Sequence, residues 1–525
     1  MVKLFKNNRY FFSRSMLALA FGAIAVFCPA AEEAESEPFT NTVYEQNYIS
    51  GSASFKKLAQ ELSEKFPRET LSESAQRRGI SLADQGEPQV GDQTSFYLDK
   101  KSNGNKRRYP AILRVIGKHC YVFLEKGKNI DDAKLKRVAK IFDEKIYPQT
   151  TATFGSEWKP GIDGDPRITL FLVGGMDGCD GFFYPGDAYT ADKYPTSNER
   201  EMLYLSIGRM ESLEDFMGHL VAHELQHMIH WNHDPNETYW VEEGLSEYAA
   251  TLFGQMPWTA EQFFQYPDRN LLDWEDTKES ENYGHVFLFT DFLLHRPGIS
   301  DAARARLIRE MVKNKKAGVA GVSEALQKVV PKIQFDDVFR DFSAAAFINN
   351  SYRGEHPWRF SPFVMKRLEK YATREVTPRR NFKSLNGSTR GKVSMWATAG
   401  YSFASTTRPT SVNLSFNGSI VKTKHGNNSF MLGLVLRDST RRNMPQVIWL
   451  RTNAGRANHK VRLPSGNYDE ILLLIVNRGP SRFNEADGRL PKADFEFSLS
   501  ADNTEIRRFE SLHNSQNSTS HQSGR

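Results

Sequence analysis

An α+β fold followed by a separate C-terminal all-β sandwich is the architecture this chain predicts. Helices of ordinary length with a few intervening strands run from about residue 130 to 350, and short strands broken by Gly, Asn and Pro turns take over after about Thr377. The length of 525 residues leaves room for two or three cores, each large enough to be stable alone. In the first of them a small sheet is expected beside one well-marked helix and a helical second half.

Residues 1–30 open with Lys3, Lys6, Arg9 and Arg14, continue through an apolar run at 16–27 and end in small residues up to Ala31. This is the pattern of an export signal cut after Ala30 or Ala31, and its apolar run is too short to span a bilayer stably. A lipid anchor on Cys28 is the weaker alternative, because Phe27 stands where such signals place a small residue. The four cations make up most of the formal +6 charge, so the mature chain has no strong basic excess and nucleic acid is not an expected partner. No later stretch has the length of uninterrupted apolar sequence that a membrane-spanning helix needs. Export leaves Cys120 and Cys179 as an even pair in an oxidising compartment, which predicts one disulfide, with two buried thiols as the other reading.

Residues 31–52 are acidic, then polar, and read as a linker. A helical stretch at 55–62 and β-like runs at 95–98 and 111–125 make 53–128 either an N-terminal sheet or a propeptide. The α+β domain is expected over 129–376. It holds strands at 167–173 and 202–207, a helix over 212–231 capped by Ser212 with Asp215 at its third position, and helices at 286–294, 302–312 and 338–348. The sandwich spans 377–502, with strands at 411–416, 431–436, 446–450, 460–463, 471–476 and 494–499. The tail 503–525 is too polar to bury a core and is expected to be disordered.

The residues that carry chemistry lie on the 212–231 helix. His223-Glu224-Leu225-Gln226-His227 places two imidazoles four apart on one face, able to share a metal, with Glu224 in reach of a water at that metal. Zinc, one per chain, is the expected cofactor: it suits imidazole, acidifies water, and lets a neighbouring carboxylate act as general base towards a carbonyl. Two residues compete for the third ligand position. Glu243 begins a second helix with Glu247 four residues on, so one can bind metal while the other orients a ligand histidine, and Glu242 should point about 100° away as a solvated acid. His233 has the metzincin spacing, but His230 occupies the position where that pattern needs Gly for its turn. With Glu243 as ligand, His230 and His233 become helix-end residues whose imidazolium suits the C-terminal dipole.

The motif His223–His227 followed by Trp240-x-x-Glu243-Gly244-x-x-Glu247-Tyr248 is the gluzincin arrangement, and it resembles the hyicolysin family of secreted bacterial zinc metallopeptidases. The resemblance extends through Gly181-Phe-Phe-Tyr-Pro-Gly-Asp187, Ser197-Asn-Glu199 and Asn282-Tyr-Gly284, covering roughly 160–300. It implies a gluzincin-type core with zinc on His223, His227 and Glu243, Glu224 as general base, and Glu247 behind a ligand histidine. It also implies that Tyr283, just ahead of a helix at 284–294, donates to the tetrahedral oxyanion, with His285 a weaker candidate and His219 structural. The expected activity is that of an exported zinc metalloendopeptidase, periplasmic or secreted, acting on protein or peptide substrates. The alternatives are a metzincin-like protease using His233 and a non-catalytic cell-envelope adhesin.

Asp163-Gly-Asp165 offers too few acids for a full calcium site, so a Gly-Asp turn is the better reading. Neither cysteine has a nucleophilic companion pattern, and no G-x-S-x-G or phosphate-cradling loop is present.

Overall fold

A computed structural model describes residues 55, 58–79, 86–98, 106–176, 179–210, 213, 216–257, 259–265, 270–272, 279–348, 357–368, 376–405, 409–440, 442–466, 468–480 and 490–502. The expected signal, linker and tail, with Cys28, Ser212 and Asp215, lie outside these residues. The chain divides into two compact units: Met1–Gln262 with Trp274–Leu294 and Gly298–Lys332, and Phe263–Asp273 with His295–Pro297 and Ile333–Arg525. It is a mixed α and β protein with a β-rich C-terminal region.

In the first unit the chain forms α1 (Leu71–Arg78), β1 (Gln93–Leu98), β2 (Arg107–Ile116), β3 (Cys120–Glu125), α2 (Asp132–Ile141), α3 (Tyr147–Phe154), β4 (Ile168–Val173), β5 (Gly181–Phe183) and β6 (Met202–Ser206). The helices α4 (Ala222–His233), α5 (Tyr239–Thr251), α6 (Ala260–Gln265), α7 (Glu279–His295), α8 (Asp301–Lys313) and α9 (Gly318–Val329) follow, the second half of α6 and the last residue of α7 being counted with the second unit. Thr70 and Glu73 close a capping box at the start of α1, and Gly79, at φ 65°, ends it in the left-handed conformation. The single β run expected at 111–125 is instead a hairpin. Gly117 turns the chain, its N–H bonding the Cys120 carbonyl at 2.8 Å, while the Asp143 carboxylate accepts from the Lys118 and His119 amides.

The six strands form one sheet in the order β1-β2-β3-β4-β6-β5. Pairing is antiparallel from β1 to β3, parallel from β3 through β4 to β6, and antiparallel again where β5 joins as the edge. Every residue of β4 is buried, as a central strand covered on both faces requires. Strands from both sides of residue 128 therefore share one sheet, and a chain cut there would lose three strands and bare the β4 edge. Residues 129–525 expressed alone are expected to lose the cooperative thermal transition of the first unit, read by near-UV circular dichroism, while that of the second unit remains. The lost side chains include Phe96, Leu98, Leu113 and Phe123, all buried. At about 1.5–3 kcal/mol each they amount to much of a typical domain's stability of roughly 5–15 kcal/mol.

The disulfide expected between Cys120 and Cys179 is not formed. Cys120 is a buried free thiol, and alternation along β3 places it with Val122 and Leu124, opposite Tyr121 and Phe123. Cys179 packs with Tyr121, Phe123, Phe182 and Tyr204 on that other face. Burial, with Asp143 alongside, pushes the Cys120 thiol far above its ordinary pKa.

The second unit contains α10 (Phe335–Ile348), α11 (Pro362–Leu368) and the strands β7 (Arg380–Phe382), β8 (Gly387–Ser394), β9 (Ala397–Ala404), β10 (Ser411–Gly418), β11 (Lys422–Thr423), β12 (Gly426–Asn427), β13 (Ser429–Arg437), β14 (Gln446–Arg451), β15 (Arg456–Arg462), β16 (Glu470–Arg478) and β17 (Lys492–Asp502). A four-stranded sheet (β15-β10-β17-β8) and a five-stranded sheet (β14-β13-β16-β9-β7) contribute to a common core. Leu414, Phe416 and Phe497 enter it from the first sheet, and Phe403, Leu432 and Ile471 from the second. That is the sandwich the alternating strands predicted. Strands β8 and β9 carry no such prediction: their sequences, GSTRGKVS and ATAGYSFA, are polar or small. Among the described residues no helix is long and apolar enough to cross a membrane.

Candidate metal centre

The helix expected over 212–231 is two pieces where it is described: a π-helical turn, Phe216–Val221, running into α4, which continues to His233. Ten of the twelve α4 residues, Ala222 to Trp231, are buried, so both imidazoles of the motif lie in the interior and need polar partners. Those partners come from α5. Gly244 lets α5 meet α7 closely, since a Cβ there would lie 2.3 Å from Thr290 Oγ1 and 3.1 Å from the Val286 carbonyl oxygen.

His223, His227 and Glu243 bring one ligand atom each into a group spanning at most 4.8 Å, a set that could hold a metal ion. The two Nε2 atoms are 2.9 Å apart, and Glu243 Oε2 lies 3.4 Å from His223 Nε2 and 3.3 Å from His227 Nε2. All three side chains are wholly buried, and neither oxygen of Glu243 accepts a hydrogen bond. A buried carboxylate without donors is costly, and a cation between it and the imidazoles would remove that cost. Two imidazoles and one carboxylate are also a donor set that suits zinc. Burial works against the His227 imidazolium, yet the adjoining Glu243 and Glu242 carboxylates push its pKa up to about 10. Burial likewise opposes the charge on Glu243, but the two histidines prevail and lower its pKa.

Glu224, between the two histidines, is wholly buried as well. Its Oε2 accepts the Phe183 backbone N–H at 3.0 Å, and its Oε1 has no hydrogen-bond partner. Burial raises its pKa, against the pull of His223 and His227 and with the Glu243 charge adding to the rise. The environments of Glu224 and Glu243 thus drive two neighbouring carboxylates in opposite directions.

Around this group the sequence reading needs two corrections. Glu242 is not a solvated acid: its side chain is 15% exposed and its Oε1 lies 3.2 Å from His227 Nδ1. Adjacent helix positions 242 and 243 straddle one imidazole, whose two nitrogens face opposite ways. Ser246 adds to this, its hydroxyl 3.2 Å from the same Nδ1 and donating to Gln226 Oε1. His233 ends the helix as expected, but there burial, with Lys313 and Lys315 nearby, lowers its pKa and so disfavours the imidazolium. The cations at that end are Lys315, which donates to the His233 carbonyl, and Arg68, which donates to the Trp231 carbonyl at 2.8 Å. His233 stands beside Gly155, where a Cβ would lie 2.9 Å from its Nε2, and is not one of the three residues in the ligand group. His230 is wholly buried.

Glu247 Oε2 lies 3.2 Å from His219 Nε2, while its Oε1 is 3.9 Å from His223 Nδ1, an ion-pair distance. Tyr283 does not precede its helix but lies inside α7, wholly buried, one turn before Val286. His285 is buried on the same helix. The Asp163 and Asp165 carboxylates are taken up locally: Asp163 Oδ1 accepts the Asp165 amide, and Asp165 accepts from the Tyr121 hydroxyl at 2.6 Å and pairs with Arg167. That is the Gly-Asp turn.

Neither a family profile nor a curated protein matches the chain. Among solved structures it is similar to TmCBM61 in complex with β-1,4-galactotriose, at 12% identity and a TM-score of 0.12, over 22% of this chain and 62% of that one. It is similar also to BtGH115A, a family GH115 4-O-methyl-α-glucuronidase with specificity for decorated arabinogalactans, at 10% identity and a TM-score of 0.15, over 65% of this chain and 52% of that one. The chain thus spans less than two thirds of either. These likenesses are too slight to assign a fold or an activity, and the site is read from its own geometry.

Sequence reasoning missed the Phe183 amide, Glu242, Ser246 and Arg68. A backbone N–H leaves no mark in sequence, and β5 is too short for alternation to reveal it. Only Glu242, next to a proposed ligand, carried a signal that could have been used.

Proposed function

We propose that the chain is an exported zinc-dependent endopeptidase of gluzincin type. The observation that carries this reading is the convergence of His223, His227 and the donor-less Glu243 beside a buried Glu224 that keeps one oxygen free. His223, His227 and Glu243 would hold the zinc, which when bound supplies Lewis-acid polarisation of a carbonyl and a water more acidic than bulk. Glu224 takes the proton of the attacking water at Oε1 and returns it to the leaving amine, while Phe183 fixes the other oxygen. Glu242 and Ser246 hold the His227 ring from behind. Tyr283 is proposed as the oxyanion donor. Among the described residues β5 has a partner strand on one side only, so an extended peptide laid along its open edge would carry a scissile carbonyl past Glu224.

Chelation tests the reading. The full chain after leader removal is expected to hydrolyse a denatured protein substrate, to lose that activity with the metal, and to regain it with one equivalent of zinc, as followed by release of new amino termini. Hydrolysis that persists in a chain shown by metal analysis to be zinc-free would overturn it.

A further inference from the structure

The N-terminal segment around α1 is fastened to the first unit more firmly than a removable piece needs to be. Lys193 pairs with Glu69 at 2.6 Å and donates to the Pro67 carbonyl at 3.2 Å, Glu69 pairs with Arg77 at 2.7 Å, and the Leu71 amide bonds the Ile162 carbonyl at 2.7 Å. Between these ties Arg68 reaches the end of α4. Its guanidinium lies 4.2 Å from the centre of the Trp231 indole and donates to the Trp231 carbonyl and to Asn232 Oδ1, and Asn232 in turn donates to the Ser156 carbonyl at 2.9 Å. Stacking on a ring while forking two hydrogen bonds is what a planar guanidinium does and an ammonium cannot.

The Trp231 ring continues inward. Its centre is 5.7 Å from that of Phe183, with Tyr189 at 6.1 Å on its other contact, and all three are buried. Phe183 is the residue whose amide holds Glu224 Oε2. One line of contacts thus runs from the Arg68 cation through two aromatic rings to the carboxylate that the proposed reaction uses as base.

We infer that Arg68 is a positioning residue for Glu224, acting through Trp231 and Phe183, and that the segment from Pro67 to Arg78 belongs to the working enzyme. This rests on the reading of Glu224 as general base. It places any maturation cut ahead of Pro67 and excludes a propeptide that ends near 128. Without Arg68, Trp231 loses the cation above its face and the end of α4 loses a donor, so the ring that packs on Phe183 is held less firmly.

The test uses the full chain after leader removal, as wild type, Arg68→Ala, Arg68→Lys and Leu62→Ala. The last removes a buried side chain just ahead of that segment and leaves the guanidinium in place. Hydrogen exchange at the Phe183 amide is measured on metal-free protein, and kcat, KM and zinc content on loaded protein. Arg68→Ala is expected to speed exchange at Phe183 about tenfold and to lower kcat about 10–100-fold, the range typical of outer partners in a metal site, with KM and one zinc per chain retained. Arg68→Lys keeps the charge without the fork and should fall between, which decides the matter if Arg68→Ala does not fold. Leu62→Ala should lower the melting temperature and change neither readout. Unchanged exchange at Phe183 in the arginine variants, or equal effects from Leu62→Ala, overturns the inference. Wild-type protein that shows protected Phe183 but no hydrolysis would count against the peptidase reading alone, because the exchange comparison needs no substrate.

Discussion

Glu224→Gln is expected to lower kcat for peptide hydrolysis by about 10²–10⁴-fold, the range that general acid–base catalysis supplies, while zinc stays at one per chain. The amide keeps the shape of the side chain, and its oxygen can still accept the Phe183 N–H that Oε2 accepts in the native protein at 3.0 Å. What it lacks is a basic site at the other position, where Oε1 has no hydrogen-bond partner and is free to take a proton. None of the three ligand residues is altered. The melting temperature should hold or rise, because burial already disfavours the Glu224 charge and a neutral amide escapes that cost. Steady-state kinetics beside metal analysis and a thermal melt check all three statements. Full activity in the variant would remove Glu224 from the mechanism.

Glu243→Gln should do the reverse: zinc is lost, and activity goes with it. The Glu243 carboxylate completes the group with His223 and His227, and its two oxygens lack donors in a wholly buried site. In the metal-free protein this carboxylate is the counter-charge of the His227 imidazole, whose pKa it helps to raise while its own is lowered, so the variant is expected to melt below the metal-free wild type. Zinc should then raise the melting temperature of wild type by several degrees, since ligand at about 100 times its dissociation constant contributes about 2.7 kcal/mol to the folded state. The same zinc should leave Glu243→Gln unmoved. A differential thermal scan with and without zinc reads this directly. His233→Ala serves as the comparison, because His233 sits beside Gly155 and outside the ligand group. A zinc response that survives in Glu243→Gln and disappears in His233→Ala would give the third position to the histidine.

Much of this centre could be read from the sequence because its chemistry is carried by side-chain type at helical spacing. His223 and His227 fall four apart, as do Glu243 and Glu247, and buried flanks such as Ala222 and Ile229 made the interior placement legible. The strands of the second unit were legible where they alternate, as in Ser411–Gly418 and Lys492–Asp502. What stayed hidden depends on relations between segments. The Cys120 pairing failed because strand parity, not export, decides which face a cysteine occupies. Glu242 was misjudged because helical angle alone ignores how much room one imidazole takes between two neighbouring positions. Arg68 stands 163 residues from the carbonyl it bonds, with nothing nearby in sequence to mark it. The Gly181–Phe183 strand is three residues long, and its meaning comes from what faces it.

The parallel joins in the sheet bear on how the chain comes to life during synthesis. β3 must wait for β4, about forty residues later, and β4 for β6, about thirty later still, before the centre of the sheet is closed. Such distant pairings are slow to form, because loop closure must precede the contacts that reward it. The helices carrying His223, His227 and Glu243 emerge only after all six strands have been made. A growing chain therefore holds its scaffold before it holds its ligands, and the residues of the proposed destructive activity arrive only after the sheet that positions them.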